Sequence, residues 1–298
     1  MTPVRPTRST KAGRAYLDLQ NLARKAGRPT DELHQLYALE GFLTRLTSST
    51  EPGRLVLKGG VLLAAYDTRR PTRDVDLLGR WMSNETTAVL ELVRSIAALP
   101  IDDGLEFDVD SATAETIRDE DDYSGVRVTM TGRLAAARLS LHVDVNVGDP
   151  VWPEPQTVLL PRLLADPLPI MGYPLAMVHA EKITTAVQRG TANTRWRDFA
   201  DVYLLSRRHD VSGDELRTAF TTVAAHRKVD LVVLSEVLDG FAELAQPRWL
   251  AWQRKQRLGE HLPASFAEVI AWLTAFADPC LAGQTGGKSW LAADGHWR

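Results

Sequence analysis

Two aspartates, Asp74 and Asp76, stand one residue apart in the run Asp-Val-Asp-Leu-Leu. On a β-strand, alternate side chains share a face. Both carboxylates would then point one way, with Val75 and Leu77 buried behind them. Two carboxylates side by side repel unless a cation lies between them. Hard oxygen donors at this spacing suit Mg²⁺ or Mn²⁺. An acidic solvent face is the simpler explanation of so short a pattern, and three further features bear on the choice.

The first is Lys58-Gly59-Gly60, which breaks a short strand at Leu55–Leu57; glycines let backbone N–H groups approach a phosphate closely. The second is the strand Leu139–Val147. Leu141, Val143, Val145 and Val147 alternate on one face and His142, Asp144 and Asn146 on the other, so Asp144 offers a third carboxylate. Two aspartates on one strand and one on a neighbour is what two-metal phosphoryl transfer requires: one ion holds a triphosphate and the other acidifies an attacking hydroxyl. The third is the nearby basic residues Lys58, Arg69, Arg70 and Arg73, suited to triphosphate charge.

The elements that must position these residues read as a mixed α/β half followed by a helical half. Leu33, Leu36, Tyr37, Leu39, Phe42, Leu43 and Leu46 recur at three and four, predicting an amphipathic helix over 31–48. Strands are expected at 55–57, 74–78, 105–109, 126–130 and 139–147, with a helix over 85–98. The acidic 118–122 stretch reads as a loop. Prolines crowd 150–174, which predicts a surface connector. Helices are then expected at 175–189, 195–206, 213–225, 229–244 and 264–277. The division predicted is a basic arm and start of the first helix over 1–30, an α/β domain over 31–165, a helical domain over 166–282 and a mobile tail over 283–298, where Trp290 and Trp297 are candidate anchors.

Composition narrows the class. The 298 residues are 44% hydrophobic and 24% charged, which suits a folded soluble protein and excludes wholesale disorder. No apolar run approaches the roughly 18–20 residues of a bilayer span, so no membrane is expected, and no secretory signal is evident. The single cysteine, Cys280, excludes an internal disulfide and a cysteine-based zinc site, and the expected location is the cytoplasm. A net charge of −3 argues against coating nucleic acid by bulk charge. Local basic patches remain: the run Arg5, Arg8, Lys11, Arg14, Arg24, Lys25 and Arg28, and the cluster Arg248, Trp249, Trp252, Arg254, Lys255 and Arg257. Each reads as a solvated or partly packed face, or alternatively as an RNA contact.

The Lys-Gly-Gly motif, the Arg-x-x-Thr-x-Asp-x-Asp block, Glu181-Lys182 and the Arg-Asp-x-x-Asp motif at 197–201 together resemble the AbiEii-type abortive-infection nucleotidyltransferase toxins of the DNA polymerase β-like superfamily, which include mycobacterial-type toxins of type IV toxin–antitoxin systems. The resemblance runs from about residue 40 to 205. The superfamily's usual Gly-Ser is replaced by Gly59-Gly60, a form usual among these toxins. The resemblance implies a polymerase β-like α/β domain with a C-terminal helical domain, a nucleoside triphosphate (NTP) substrate, a tRNA 3′ end as acceptor, a preference for a pyrimidine nucleotide, and a cognate antitoxin. In site terms, Asp74, Asp76 and Asp144 would ligate metal and Lys58, Gly59, Gly60, Thr72 and Arg73 would line the triphosphate. Lys182 would hold the nucleotide phosphates, and Asp198, or else Asp201, would be a further functional acid. An ion pair of Asp198 with Arg197 or Lys182 is the structural alternative, and such a carboxylate could also orient Lys182. Thr72, beside the metal site, is a candidate for silencing by phosphorylation. Rival readings are the same chemistry on a protein or small-molecule hydroxyl, or an inactive module that binds nucleic acid or a partner.

Overall fold

The computed structural model describes residues 6–118, 124–258 and 260–298. Arg5 of the basic run and residues 119–122 of the expected acidic loop lie outside them. The chain forms two compact units, one running up to Asp149 and including Gln156–Gly172, the other comprising Pro150–Pro155 and Tyr173–Arg298.

The first unit is α/β. Helices α1 (Lys11–Lys25) and α2 (Thr30–Thr47) lead into β1 (Leu55–Lys58), the single-turn α3 (Gly59–Leu62), β2 (Asp74–Gly79) and α4 (Thr86–Ala97). Then follow β3 (Leu105–Arg118), β4 (Ser124–Leu134), β5 (Ala137–Val147), β6 (Gln156–Leu160) and β7 (Leu168–Gly172). The seven strands make one sheet, ordered β3-β4-β5-β2-β1-β7-β6. β2 runs parallel to β5 and β1 parallel to β7; the other pairings are antiparallel. Leu141, Val143 and Val145 of β5 are fully buried, as are Val75 and Leu77 of β2. This alternation leaves the polar residues of both strands on the other face, and a one-residue slip would invert it. The stripe of α2 is buried through Leu39, Phe42, Leu43 and Leu46. Within the basic run, Arg8 pairs with Asp18 and Arg28 with Glu32, and such surface pairs contribute little to stability.

The proline-rich 150–174 stretch is not simply a connector. It carries β6 and β7, with Val158, Leu160, Leu168 and Ile170 buried at period two. Proline forbids helix interior but is tolerated toward a sheet edge, and Pro169 sits exposed in β7. The chain therefore leaves the sheet at Gly172, later than the expected 165.

The second unit contains α5 (Leu175–Arg189), α6 (Trp196–Ser206), β8 (Val211–Ser212), α7 (Gly213–Arg227), α8 (Leu234–Val237), α9 (Phe241–Gln256), α10 (Phe266–Leu281), β9 (Ser289–Leu291) and β10 (His296–Trp297). The helix expected over 229–244 is split. Lys228 and Gly240 take left-handed backbone, and the Asp278 carboxylate accepts from the Leu234 and Ser235 amides to cap the short α8. The expected mobile tail is folded: β8, β9 and β10 form a small sheet. Trp290 is fully buried, its indole N–H donating to the Ser206 carbonyl at 2.7 Å, and Trp297 stacks on Phe276. Trp249, read as part of a possible RNA platform, is core: it is fully buried and donates to the Pro263 carbonyl. Arg248, Arg254, Lys255 and Arg257 remain exposed.

His179 on α5 is fully buried against the Phe276 ring, and among the described residues neither ring nitrogen has a hydrogen-bond partner. Burial, with the charges of His209 and Lys182, pushes its pKa down to about 3. The native state therefore keeps His179 neutral where the unfolded chain, with a pKa near 6.5, takes up a proton. Its contribution to stability is present above pH 6.5 and is lost as pH falls toward 3, at about 1.4 kcal/mol per unit. Replacing it by methionine is expected to flatten the acid limb. Between pH 6.5 and 4.5 the variant should lose about 2–3 kcal/mol less than wild type, measured by urea unfolding; parallel limbs would refute this.

Candidate active site

The parallel pairing of β2 with β5 sets Asp76 opposite Asp144 and Asp74 opposite His142. Residues in register on adjacent strands share a face, so all three carboxylates project from the same side of the sheet. The antiparallel β1 sets Lys58 opposite Asp76. Lys58 Nζ donates to Asp149 Oδ2 at 3.1 Å, and Asp149 has no signal in the sequence motifs.

Gly59 turns the chain out of β1 with φ +65, a conformation costly to any side chain. A methyl group there would overlap the Asp76 carboxylate. The glycine is needed because Asp76 packs against it. The Gly60 amide, expected to face a phosphate, donates to Asp76 Oδ2 at 3.3 Å. Gly59→Ala is accordingly expected to displace Asp76 and cut activity by about a hundredfold, at a stability cost of about 1 kcal/mol or more. Activity within twofold of wild type would refute that dependence.

Electrostatically, Asp76 is crowded. Burial raises its pKa and the charge of Asp144 adds to this; Lys58 and the Gly60 amide act in the opposite sense, and Asp74 raises it further. Asp144 is buried and gripped by Arg127, whose Nε and Nη2 donate to Oδ1 and Oδ2 at 2.8 and 2.6 Å. Arg127 was missed in the sequence because nothing local marks it. Thr72 is half-buried, and its hydroxyl donates to the Asp74 carbonyl at 3.4 Å. Arg73 is exposed. Arg69 is taken out of the triphosphate set: it pairs with the buried Glu40 at 2.9 Å and donates to the Pro161 carbonyl.

Among the described residues, no three His, Cys, Asp or Glu side chains converge closely enough to hold a metal ion as they lie. The donor set itself fits a hard divalent ion. It offers carboxylate oxygens on two registered strands, crowded enough to raise the pKa of Asp76. Both oxygens of one of these donors, Asp144, accept from Arg127.

Lys182 and Asp198 lie in the other unit. Lys182 Nζ donates to Asp198 Oδ1 at 2.7 Å and to Asp201 Oδ2 at 2.8 Å, and Arg195 Nε reaches Asp198 Oδ2 at 2.6 Å. Both aspartates are buried. Burial alone would raise the Asp198 pKa, but the charges of Lys182 and Arg195 hold it well below the usual carboxylate range.

A family model for the nucleotidyl transferase AbiEii toxin of type IV toxin–antitoxin systems matches residues 41–273. The chain belongs to the AbiEii nucleotidyltransferase toxin family. Membership makes this AbiEii protein a nucleotidyltransferase and implies a cognate antitoxin. Among solved structures, JHP933 from Helicobacter pylori is 14% identical, covering 85% of this chain and 93% of that one, with a TM-score of 0.49. Another H. pylori chain, provisionally described as a nucleotidyltransferase, is 15% identical over 85% of this chain and 96% of its own, also at 0.49. No curated protein matches the sequence. Among the described residues, no helix is long and apolar enough to cross a membrane.

Proposed function

We propose that this AbiEii nucleotidyltransferase moves a nucleoside monophosphate from an NTP to the 3′-hydroxyl of RNA, with the tRNA acceptor end as target and a pyrimidine nucleotide as donor, in the cytoplasm and with Mg²⁺ or Mn²⁺. The observation that carries it is the registered triad Asp74, Asp76 and Asp144 beside the Gly59 turn. Divalent ions bound by these carboxylates would screen the triphosphate and acidify the attacking hydroxyl.

Asp74 and Asp76 hold the donor end of the site, and Asp144 accepts the proton of the 3′-hydroxyl as its oxygen bonds to the α-phosphorus. The bond from that phosphorus to the bridging oxygen breaks, and pyrophosphate leaves. Lys58 and Arg73 offset triphosphate charge, and Gly59 keeps Asp76 in place. Thr72 adjoins Asp74, so a phosphate added to its hydroxyl would set new negative charge beside the triad. Lys182 and Asp198 enter on the family motif. The arrest of aminoacylation and translation would follow from a blocked acceptor end.

The test incubates the protein with Mg²⁺, each α-labelled NTP in turn, and total RNA or total protein. Label in tRNA, strongest with a pyrimidine nucleotide, is the expected result. Label in protein transfers the chemistry to another acceptor, and no label with any acceptor overturns the proposal.

A further inference from the structure

The Arg127–Asp144 fork sits where the proposed chemistry needs a metal ligand. β4 sets Arg127 directly opposite Asp144, and its Nε and Nη2 donate to Oδ1 and Oδ2 respectively. This bidentate geometry is the strongest an arginine makes with a carboxylate. Asp76 faces the same carboxylate from the other side, on β2. The guanidinium is therefore the counter-charge of Asp144, as Lys58 is of Asp76. A divalent ion on Asp144 would compete for the same oxygens, and two cations within bonding reach of one carboxylate repel each other. Arg127 can yield: its side chain is 33% exposed, against 9% for Asp144. A long, partly exposed side chain can swing into water without opening a cavity in the core.

We propose that Arg127 is the counter-ion of Asp144, and that a divalent ion reaches Asp144 only by displacing it. Arg127 is thus a positioning residue that sets the ion concentration at which the site fills. The inference rests on the metal-dependent reading above.

Mn²⁺ binding to the full chain without nucleotide, followed by electron paramagnetic resonance, tests it. Arg127→Gln is expected to lower the half-saturating Mn²⁺ concentration by about tenfold, the scale of a lost charge-assisted pair. Arg127→Lys, which keeps the charge without the fork, should fall between the two and guards against a folding artefact. The deciding arm is Asp144→Asn. If Arg127 and the ion compete for Asp144, Arg127→Gln gains nothing in that background. A gain that persists there means general electrostatics and overturns the inference, as does an unchanged or weakened affinity in Arg127→Gln alone. Failure of the metal reading looks different: wild type and every variant bind no Mn²⁺, or Asp74→Asn and Asp76→Asn leave binding untouched.

Discussion

Asp76→Asn should abolish nucleotidyl transfer, by roughly a thousandfold or more in kcat, while the protein stays folded and at neutral pH becomes no less stable. The two halves have one cause. Asp76 is held beside Asp144 with Lys58 and the Gly60 amide as partial compensation, and its pKa is raised, first by burial and then by the Asp144 charge. A raised folded pKa means that the native state prefers the protonated acid. Its contribution to stability is fully present below the unfolded pKa, near 3.9, and is lost as pH rises through the folded value. Ionising the group in the folded protein therefore costs stability. Asparagine has nearly the same shape and no charge, and its amide oxygen can accept from Gly60. The stability gap between variant and wild type should widen with pH from about 4 upward. Transfer of α-labelled NTP gives the first half and thermal unfolding at pH 5 and pH 8 the second. Activity within tenfold of wild type would remove Asp76 from the proposed chemistry. A variant less stable at pH 8 than at pH 5, relative to wild type, would contradict the electrostatic account.

The strands bearing the site were legible because their chemistry is local. Alternation in Asp74–Leu78 and Leu139–Val147 separates apolar from acidic faces whatever the neighbours are, and the Gly59-Gly60 break is visible beside it. What could not be read is pairing order. Arg127 matters only because β4 lies beside β5 with Arg127 level with Asp144, and no local pattern states that register. Asp149 reaches Lys58 from 91 positions away for the same reason. Glycine signals close approach without naming what approaches, and the Asp76 carboxylate that accepts from the Gly60 amide is given by the strand register alone. Trp249 was ambiguous because an aromatic residue among arginines is equally a stacking platform or the buried edge of a helix. Its indole partner, the Pro263 carbonyl, decides for the core.

The Lys182 cluster gives the second large effect. Lys182→Met is expected to destabilise the protein by about 3–5 kcal/mol, the scale of breaking a buried ion pair from one side. Asp198 and Asp201, at i and i+3 on α6, share a face, and both are buried with Lys182 Nζ between them. Without the ammonium Asp198 keeps Arg195, but the cation that bonds both buried carboxylates is lost. The pH dependence must change too. The Asp198 pKa is depressed, against the pull of burial, by Lys182 and Arg195. Its stabilisation is present above the unfolded value near 3.9 and is lost as pH falls through the folded one, so the variant should begin to lose Asp198 charge at higher pH than wild type. Urea unfolding across pH 3–7 measures both effects, and a loss below about 1 kcal/mol would mean that the pair is not desolvated as described. Stability alone does not separate a strut from a reacting group, and the double variant Lys182→Met with Asp201→Asn does. Removing one acid with the base takes away one of those buried charges and should return much of the lost stability. Transfer that returns with it makes Lys182 structural. Transfer that stays lost in a refolded, stable double variant, while Asp201→Asn alone keeps it, requires the ammonium itself, the role that the resemblance implies for it.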